Sequence, residues 1–120
     1  MNTLSLEESV KLYAQAWNEE GLENIKAALE KCWTAESTYI DPQNPLTKGA
    51  DELAALIQTS EDKMPGRKFR QLSEPDFHNH SGRFKWLLTR KDGTTREGFD
   101  YFEYNDNHQI TRIVGFFGAI

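Results

Sequence analysis

Cysteine is nearly absent: Cys32 is the only one. No disulfide can therefore close within the chain and no cluster of thiolates can hold a metal. Cys32 itself reads as a small buried hydrophobe. Long apolar runs are missing too, so no stretch is suited to crossing a bilayer. The N-terminal segment also lacks the basic start and apolar run of a secretory leader. A cytoplasmic location without a membrane partner is the resulting expectation. Basic residues are outnumbered, 14 Lys and Arg against 19 Asp and Glu, for a formal charge of -5. They are scattered among acids rather than gathered into a stripe, and such a surface repels phosphate backbones, which argues against a nucleic-acid partner. No low-complexity tract or single-charge run suggests a disordered tail.

What remains suits one core. In 120 residues, 38% hydrophobic and 12% aromatic, a single core buries enough surface to stand alone, whereas two would each be marginal. A single domain over residues 1–120 is expected. Ser5-Leu6-Glu7-Glu8 has capping-box spacing, and Leu6, Val10, Tyr13, Ala14 and Trp17 then fall on one helical face. Gly21 is a natural stop. Leu22, Ile25, Leu29, Cys32 and Trp33 repeat by threes and fours and predict a second helix.

Thr38-Tyr39-Ile40 reads as a strand that gives way to a loop at Asp41-Pro42. A third helix is predicted from about Gly49 to Lys63, with Ala50, Leu53, Ala54 and Ile57 on one side and a stop at Pro65-Gly66. From Arg67 the pattern turns strand-like, with turn clusters at His78 to Gly82, Lys91-Asp92-Gly93 and Asn105-Asp106-Asn107. Helices first and adjacent strands afterwards define an α+β class. The expected architecture is three N-terminal helices packed in the concave face of a curved antiparallel sheet.

Three strings carry a family likeness. They are Leu12-Tyr13-Ala14-Gln15-Ala16-Trp17-Asn18; Thr38-Tyr39-Ile40-Asp41-Pro42 followed by Lys48-Gly49-Ala50; and Gly98-Phe99-Asp100-Tyr101-Phe102 leading to Ile113-Val114-Gly115-Phe116-Phe117-Gly118. With the order of elements, they make nearly the whole chain resemble the nuclear transport factor 2-like superfamily, which includes SnoaL-like cyclases and ketosteroid isomerases. The resemblance implies a cone-shaped α+β barrel around an apolar pocket that takes a hydrophobic small molecule. No cofactor and no metal are expected. Because the fold serves several functions, it leaves open an isomerase- or cyclase-like enzyme and a non-catalytic ligand-binding or accessory domain.

Tyr13, Asp41 and Asp100 fall where ketosteroid isomerases of this family keep a tyrosine donor, an aspartate base and an aspartic-acid donor. Asp41 is thus implied as a base removing a proton beside a carbonyl, with Tyr13 and a protonated Asp100 stabilising the charge on oxygen. In the ketosteroid isomerases an apolar site is what keeps such an aspartic acid protonated, so the resemblance implies the same surroundings for Asp100. A base at Asp41 requires a mobile, partly solvated position at the pocket mouth, whereas Asp-Pro is also a turn-forming pair. Tyr13 reads equally as a core residue on a helix face.

Strand alternation puts Asp100 and Phe102 on one side: if Asp100 faces inward so does Phe102, and Phe99, Tyr101 and Glu103 then face outward as a surface for a homodimer. Ile113 and Phe117 face inward under the resemblance. Trp17, Arg96, Phe102, Ile113 and Phe117 are therefore the candidate substrate contacts. Arg96 shares a side with Asp100, so a structural ion pair between them stands beside the donor role. Asp76, His78 and His80 alternate along a strand, but their polar hairpin offers no firm third ligand, and they read as surface residues.

Overall fold

The computed structural model describes residues 4–118. Ser5 opens the first helix, α1 (Leu6–Ala16): its hydroxyl accepts from the Glu8 amide at 3.1 Å while the Glu8 carboxylate accepts from the Ser5 amide at 3.0 Å. This reciprocal cap satisfies two amides that the first turn leaves free. Leu6, Val10, Tyr13 and Ala16 form the buried stripe of α1. Asn18 then fastens the end of that helix to the sheet, donating to the Phe69 carbonyl and accepting from the Phe69 amide, both at 2.7 Å.

The second helix, α2, spans Leu22–Glu30 and is shorter than its periodicity predicts. Cys32 and Trp33, expected on it, lie beyond its end, and Trp33 opens β1 (Trp33–Asp41). The spacing misleads because a buried strand start and a buried helix face both demand large apolar residues. β1 thus starts earlier than Thr38 and includes Asp41. β2 (Asn44–Lys48) occupies the stretch expected as loop, and α3 (Gly49–Lys63) follows directly. The remaining strands are β3 (Lys68–Gln71), β4 (Asp76–His78), β5 (Ser81–Thr89), β6 (Thr95–Tyr104) and β7 (Ile110–Phe117).

The sheet is open and ordered β2-β1-β7-β6-β5-β3, with β4 also pairing with β5. Its pairs are antiparallel except one: β1 and β7 run parallel. The expected antiparallel pairing thus holds for every pair but this seam, where a strand from the first third of the chain meets the last strand. The seam is irregular. Trp33 pairs with Ile110 but Thr38 with Arg112, and the Ser37 hydroxyl bridges the gap by donating to the Ile110 carbonyl at 2.7 Å.

The helices supply Val10, Ile25, Leu29, Leu53 and Ile57 to one core, and the inner sheet face supplies Phe84, Phe102, Ile110 and Ile113. Burying such side chains contributes roughly 1.5–3 kcal/mol each. Alternation along β6 is clear: Gly98, Asp100 and Phe102 are buried while Phe99, Tyr101 and Glu103 are half-exposed. No helix among the described residues is long and apolar enough to cross a membrane.

Candidate functional site

Where β1, β5 and β7 end and β6 begins, the sheet and helices do not close, and a cavity of about 220 Å³ remains. Its walls are largely aromatic. Ring centroids run in a chain from Tyr39 to Trp17 (5.5 Å), Trp17 to Phe69 (5.3 Å), Phe69 to Trp86 (5.7 Å) and Trp86 to Phe117 (5.9 Å). Each is tilted or edge-on, arrangements that favour aromatic contact and stiffen the wall.

Two carboxylates enter this apolar lining from different strands. Asp41 is the last residue of β1 and Asp100 lies in the middle of β6, and both border the cavity. Between them on β7 is Gly115, opposite Asp100 in the ladder. A Cβ added to Gly115 would lie 3.2 Å from Asp100 Oδ1 and 3.2 Å from Asp41 Cβ. The missing side chain is what lets the carboxylates converge across an intervening strand.

Asp41 is buried and firmly held. Its oxygens accept from the Tyr39 hydroxyl at 2.6 Å, the Gln43 amide at 2.8 Å and the Asn44 side-chain amide at 2.9 and 3.0 Å. It therefore combines the two readings left open by Asp-Pro: the Gln43 contact shapes the turn while the same carboxylate borders the pocket. The mobile, partly solvated setting required of it as a base is not what is found. Tyr39 and Asn44, which sequence reasoning does not single out, are its partners. Tyr39 shares Asp41's face at a spacing of two, the one signal that points to it.

Asp100 has a different setting. Its Oδ1 accepts one hydrogen bond, from Trp86 Nε1 at 3.1 Å, and among the described residues the carboxylate is in no ion pair. Burial pushes its pKa up to about 7; the Trp86 hydrogen bond opposes the rise and the charge of Asp41 adds to it. Trp86 reaches Asp100 because it stands opposite Gly98, where a Cβ would overlap the indole. Only the cross-strand register reveals this role of Trp86 beside its place in the core.

The ion pair considered between Arg96 and Asp100 does not form. Residues four apart in a strand share a face but are separated by about 13 Å. The Arg96 guanidinium instead lies over the Phe117 ring, 4.7 Å from its centroid. Arg96, Phe117 and Trp17 border the cavity. Phe102 and Ile113 do not. Both are fully buried at the closed end of the cone, Phe102 against Phe84 and Tyr104. Their inward orientation agrees with the strand alternation, but the cavity stops short of their depth.

Tyr13 also borders the cavity, its ring stacked on Trp33 at 5.6 Å. Its buried hydroxyl has no hydrogen-bond partner among the described residues. Burial, then the charge of Asp100, holds its pKa well above the usual tyrosine value; the Trp17 indole N–H, which approaches the hydroxyl without reaching hydrogen-bond geometry, acts in the opposite sense. The hydroxyl thus stays protonated and has a donor to offer.

Asp76 pairs with Arg83 at 3.2 Å, His80 with Asp106 at 2.8 Å, and His78 Nδ1 contacts the Asn79 amide at 3.0 Å. Among the described residues no group of three or more His, Cys, Asp or Glu side chains is placed to hold a metal.

No family model matches the sequence, and neither does any curated protein. Solved structures do. One, from Agrobacterium tumefaciens and provisionally named an isomerase of the SnoaL-like family, is 31% identical; the alignment covers 93% of this chain and 96% of that one, with a TM-score of 0.84. A provisionally named SnoaL-like polyketide cyclase from Jannaschia sp. CCS1 matches over 98% of this chain and 88% of its own, with 14% identity and a TM-score of 0.73. An NTF2-like protein of unknown function from Exiguobacterium sp. 255-15 covers 93% and 99%, with 13% identity and a TM-score of 0.72. The last two show a shared fold alone.

Proposed function

The chain belongs to the SnoaL-like family of the nuclear transport factor 2-like superfamily, and from that premise we propose that it moves a proton at a carbon beside the carbonyl of a small apolar substrate, as an isomerase or cyclase does. One observation carries this reading: Asp100, with a pKa raised to about 7, stands in the same apolar cavity as the unpartnered hydroxyl of Tyr13. A carboxylate of that pKa is ionised in about half of the molecules at neutral pH and returns a proton as readily as it takes one.

The reaction assigns each group a task. The Asp100 carboxylate takes the proton as the carbon–hydrogen bond breaks, and the electron pair passes to the carbonyl oxygen. The Tyr13 hydroxyl donates a hydrogen bond to that oxygen, which is worth more in a dry site than in water. Asp100 then returns the proton to carbon. This moves the base from Asp41, where the family resemblance implied it, to Asp100, and leaves Tyr13 as the donor. Asp41 would have to surrender one of its four accepted hydrogen bonds to take a proton, whereas Asp100 Oδ2 accepts none among the described residues. Asp41 instead holds the pocket wall and raises the proton affinity of Asp100 by its charge. The cavity falls below the roughly 300–1,000 Å³ of drug-sized sites, which favours a small substrate.

The test is deuterium exchange at the α-carbon of a panel of small enolisable ketones in heavy water, followed by NMR. The native protein should speed exchange, Asp100→Asn should lose at least about a hundredfold and Tyr13→Phe roughly tenfold. Ligand binding without any exchange would sink the catalytic reading and leave a binding module.

The outer face of the sheet is proposed as a homodimer surface. Phe99 and Phe116 stack there at 4.9 Å, and Phe116 remains 42% exposed in the single chain.

A further inference from the structure

Arginine is concentrated at the mouth of the cavity, against the balance of the molecule. Although acids outnumber bases overall, the charged residues bordering the cavity are Asp41 and Asp100 within it and Arg70, Arg90 and Arg96. Among the described residues no lysine and no glutamate borders it. Arg90 and Arg96 are brought together by register. Arg96 stands opposite Leu88 in the β5–β6 ladder, and Arg90 lies two residues beyond Leu88, on the face that carries Phe84, Trp86 and Leu88. They are diagonal neighbours on one face, about 7–8 Å apart at the backbone.

Arg90 and Arg96 form no ion pair among the described residues. The nearby Asp92 carboxylate accepts from the Thr94 hydroxyl at 2.7 Å and the Thr94 amide at 2.9 Å, and these bonds, with a smaller part from the charge of Arg90, hold its pKa below the usual carboxylate value. Arg90 itself makes one long contact, 3.4 Å to the Thr94 hydroxyl. Arg96, resting on Phe117, is held by its face and keeps its N–H edges for another partner. A planar guanidinium so presented matches a carboxylate.

We propose that the ligand of this pocket is a small amphipathic anion: an apolar body seated among Trp17, Phe69, Trp86 and Phe117, and a carboxylate held at the mouth by Arg90 and Arg96. Cation above and carboxyl below then orient the molecule, with its carbonyl directed toward Tyr13 and Asp100. The anion site rests on the reading of this cavity as the substrate site given above, and binding is measured apart from turnover so that the two fail separately.

Hydrocinnamate and hydrocinnamamide have the same shape and differ in charge. Trp17 and Trp86 border the cavity, so quenching of tryptophan fluorescence reports their binding. The native protein should bind the carboxylate at least about tenfold more tightly than the amide, a preference that weakens with added salt. Arg90→Gln with Arg96→Gln should erase the preference by weakening binding of the carboxylate at least about tenfold, with a native circular dichroism spectrum showing that the variant is folded. Asp100→Asn should keep the preference even though proton transfer is lost. Equal binding of the two probes, no saturable binding of either, or a preference that survives in the double variant would overturn the anion site.

Discussion

A carboxyl group buried against Trp86, with a second carboxylate across one strand and no cation in contact among the described residues, ties this protein's stability to pH. In the fold Asp100 keeps its proton up to about pH 7, whereas its ordinary value is 3.8. Between those values the folded chain binds more protons than the unfolded one, so the contribution of Asp100 to stability is full below about 4, falls as pH rises through about 7 and is flat beyond. The whole effect is on the order of 4 kcal/mol. Urea unfolding of the native protein and Asp100→Asn should therefore show the variant gaining on the native protein across that window. A difference constant with pH would mean that Asp100 titrates normally. Gly115→Ala tests the convergence itself. Its Cβ would press on both carboxylates at 3.2 Å, and we expect α-proton exchange to fall roughly tenfold while unfolding free energy changes by only about 1 kcal/mol. Unchanged exchange would show that the spacing of the pair is unimportant. Asp41, Asp100 and Tyr13 are legible as candidates because the family resemblance singles out those three positions. Trp86, Tyr39 and Asn44 are not, since nothing local marks an aromatic or an amide as the partner of a particular carboxylate.

At the scale of elements, Arg67 joins the parts that frame the cavity. It is 2% exposed and donates to the Trp17 carbonyl at 3.0 Å, the Ile57 carbonyl at 3.3 Å, the Ser60 hydroxyl at 3.0 Å and the Glu61 carboxylate at 3.1 Å. One side chain thereby links the end of α1 to α3, and its guanidinium lies 5.1 Å from the centroid of Phe69 on β3. Arg67→Met should cost about 3 kcal/mol in unfolding free energy, because carbonyls and a carboxylate lose a buried partner. A loss below about 1 kcal/mol would mean that water replaces it. The bounds of α3 agree with its expected span because its apolar spacing and its Pro65-Gly66 stop are local signals. β2 escapes sequence reasoning because Pro45 argues against a strand, yet it lies at the sheet edge, the position where proline is tolerated.

For the whole molecule, the stacked Phe99 and Phe116 should be covered by a second copy, so light scattering is expected to give twice the chain mass, and Phe116→Glu to shift it toward one. A strictly monomeric native protein would refute that surface. The sequence by itself determined the α+β class, the three helices and which residues of β6 share a side, because capping, turn chemistry and periodicities of 3.6 and 2 act between near neighbours. Tertiary structure alone decided three other things: the parallel seam of β1 and β7, the depth at which the cavity ends above Phe102, and the rerouting of Arg96 from Asp100 to Phe117. Each depends on how far one strand slides along another, and side-chain alternation gives the face of a residue but not its height along the strand. The opening in the cone, and the carboxyl and arginine pairs that border it, exist only once that height is set.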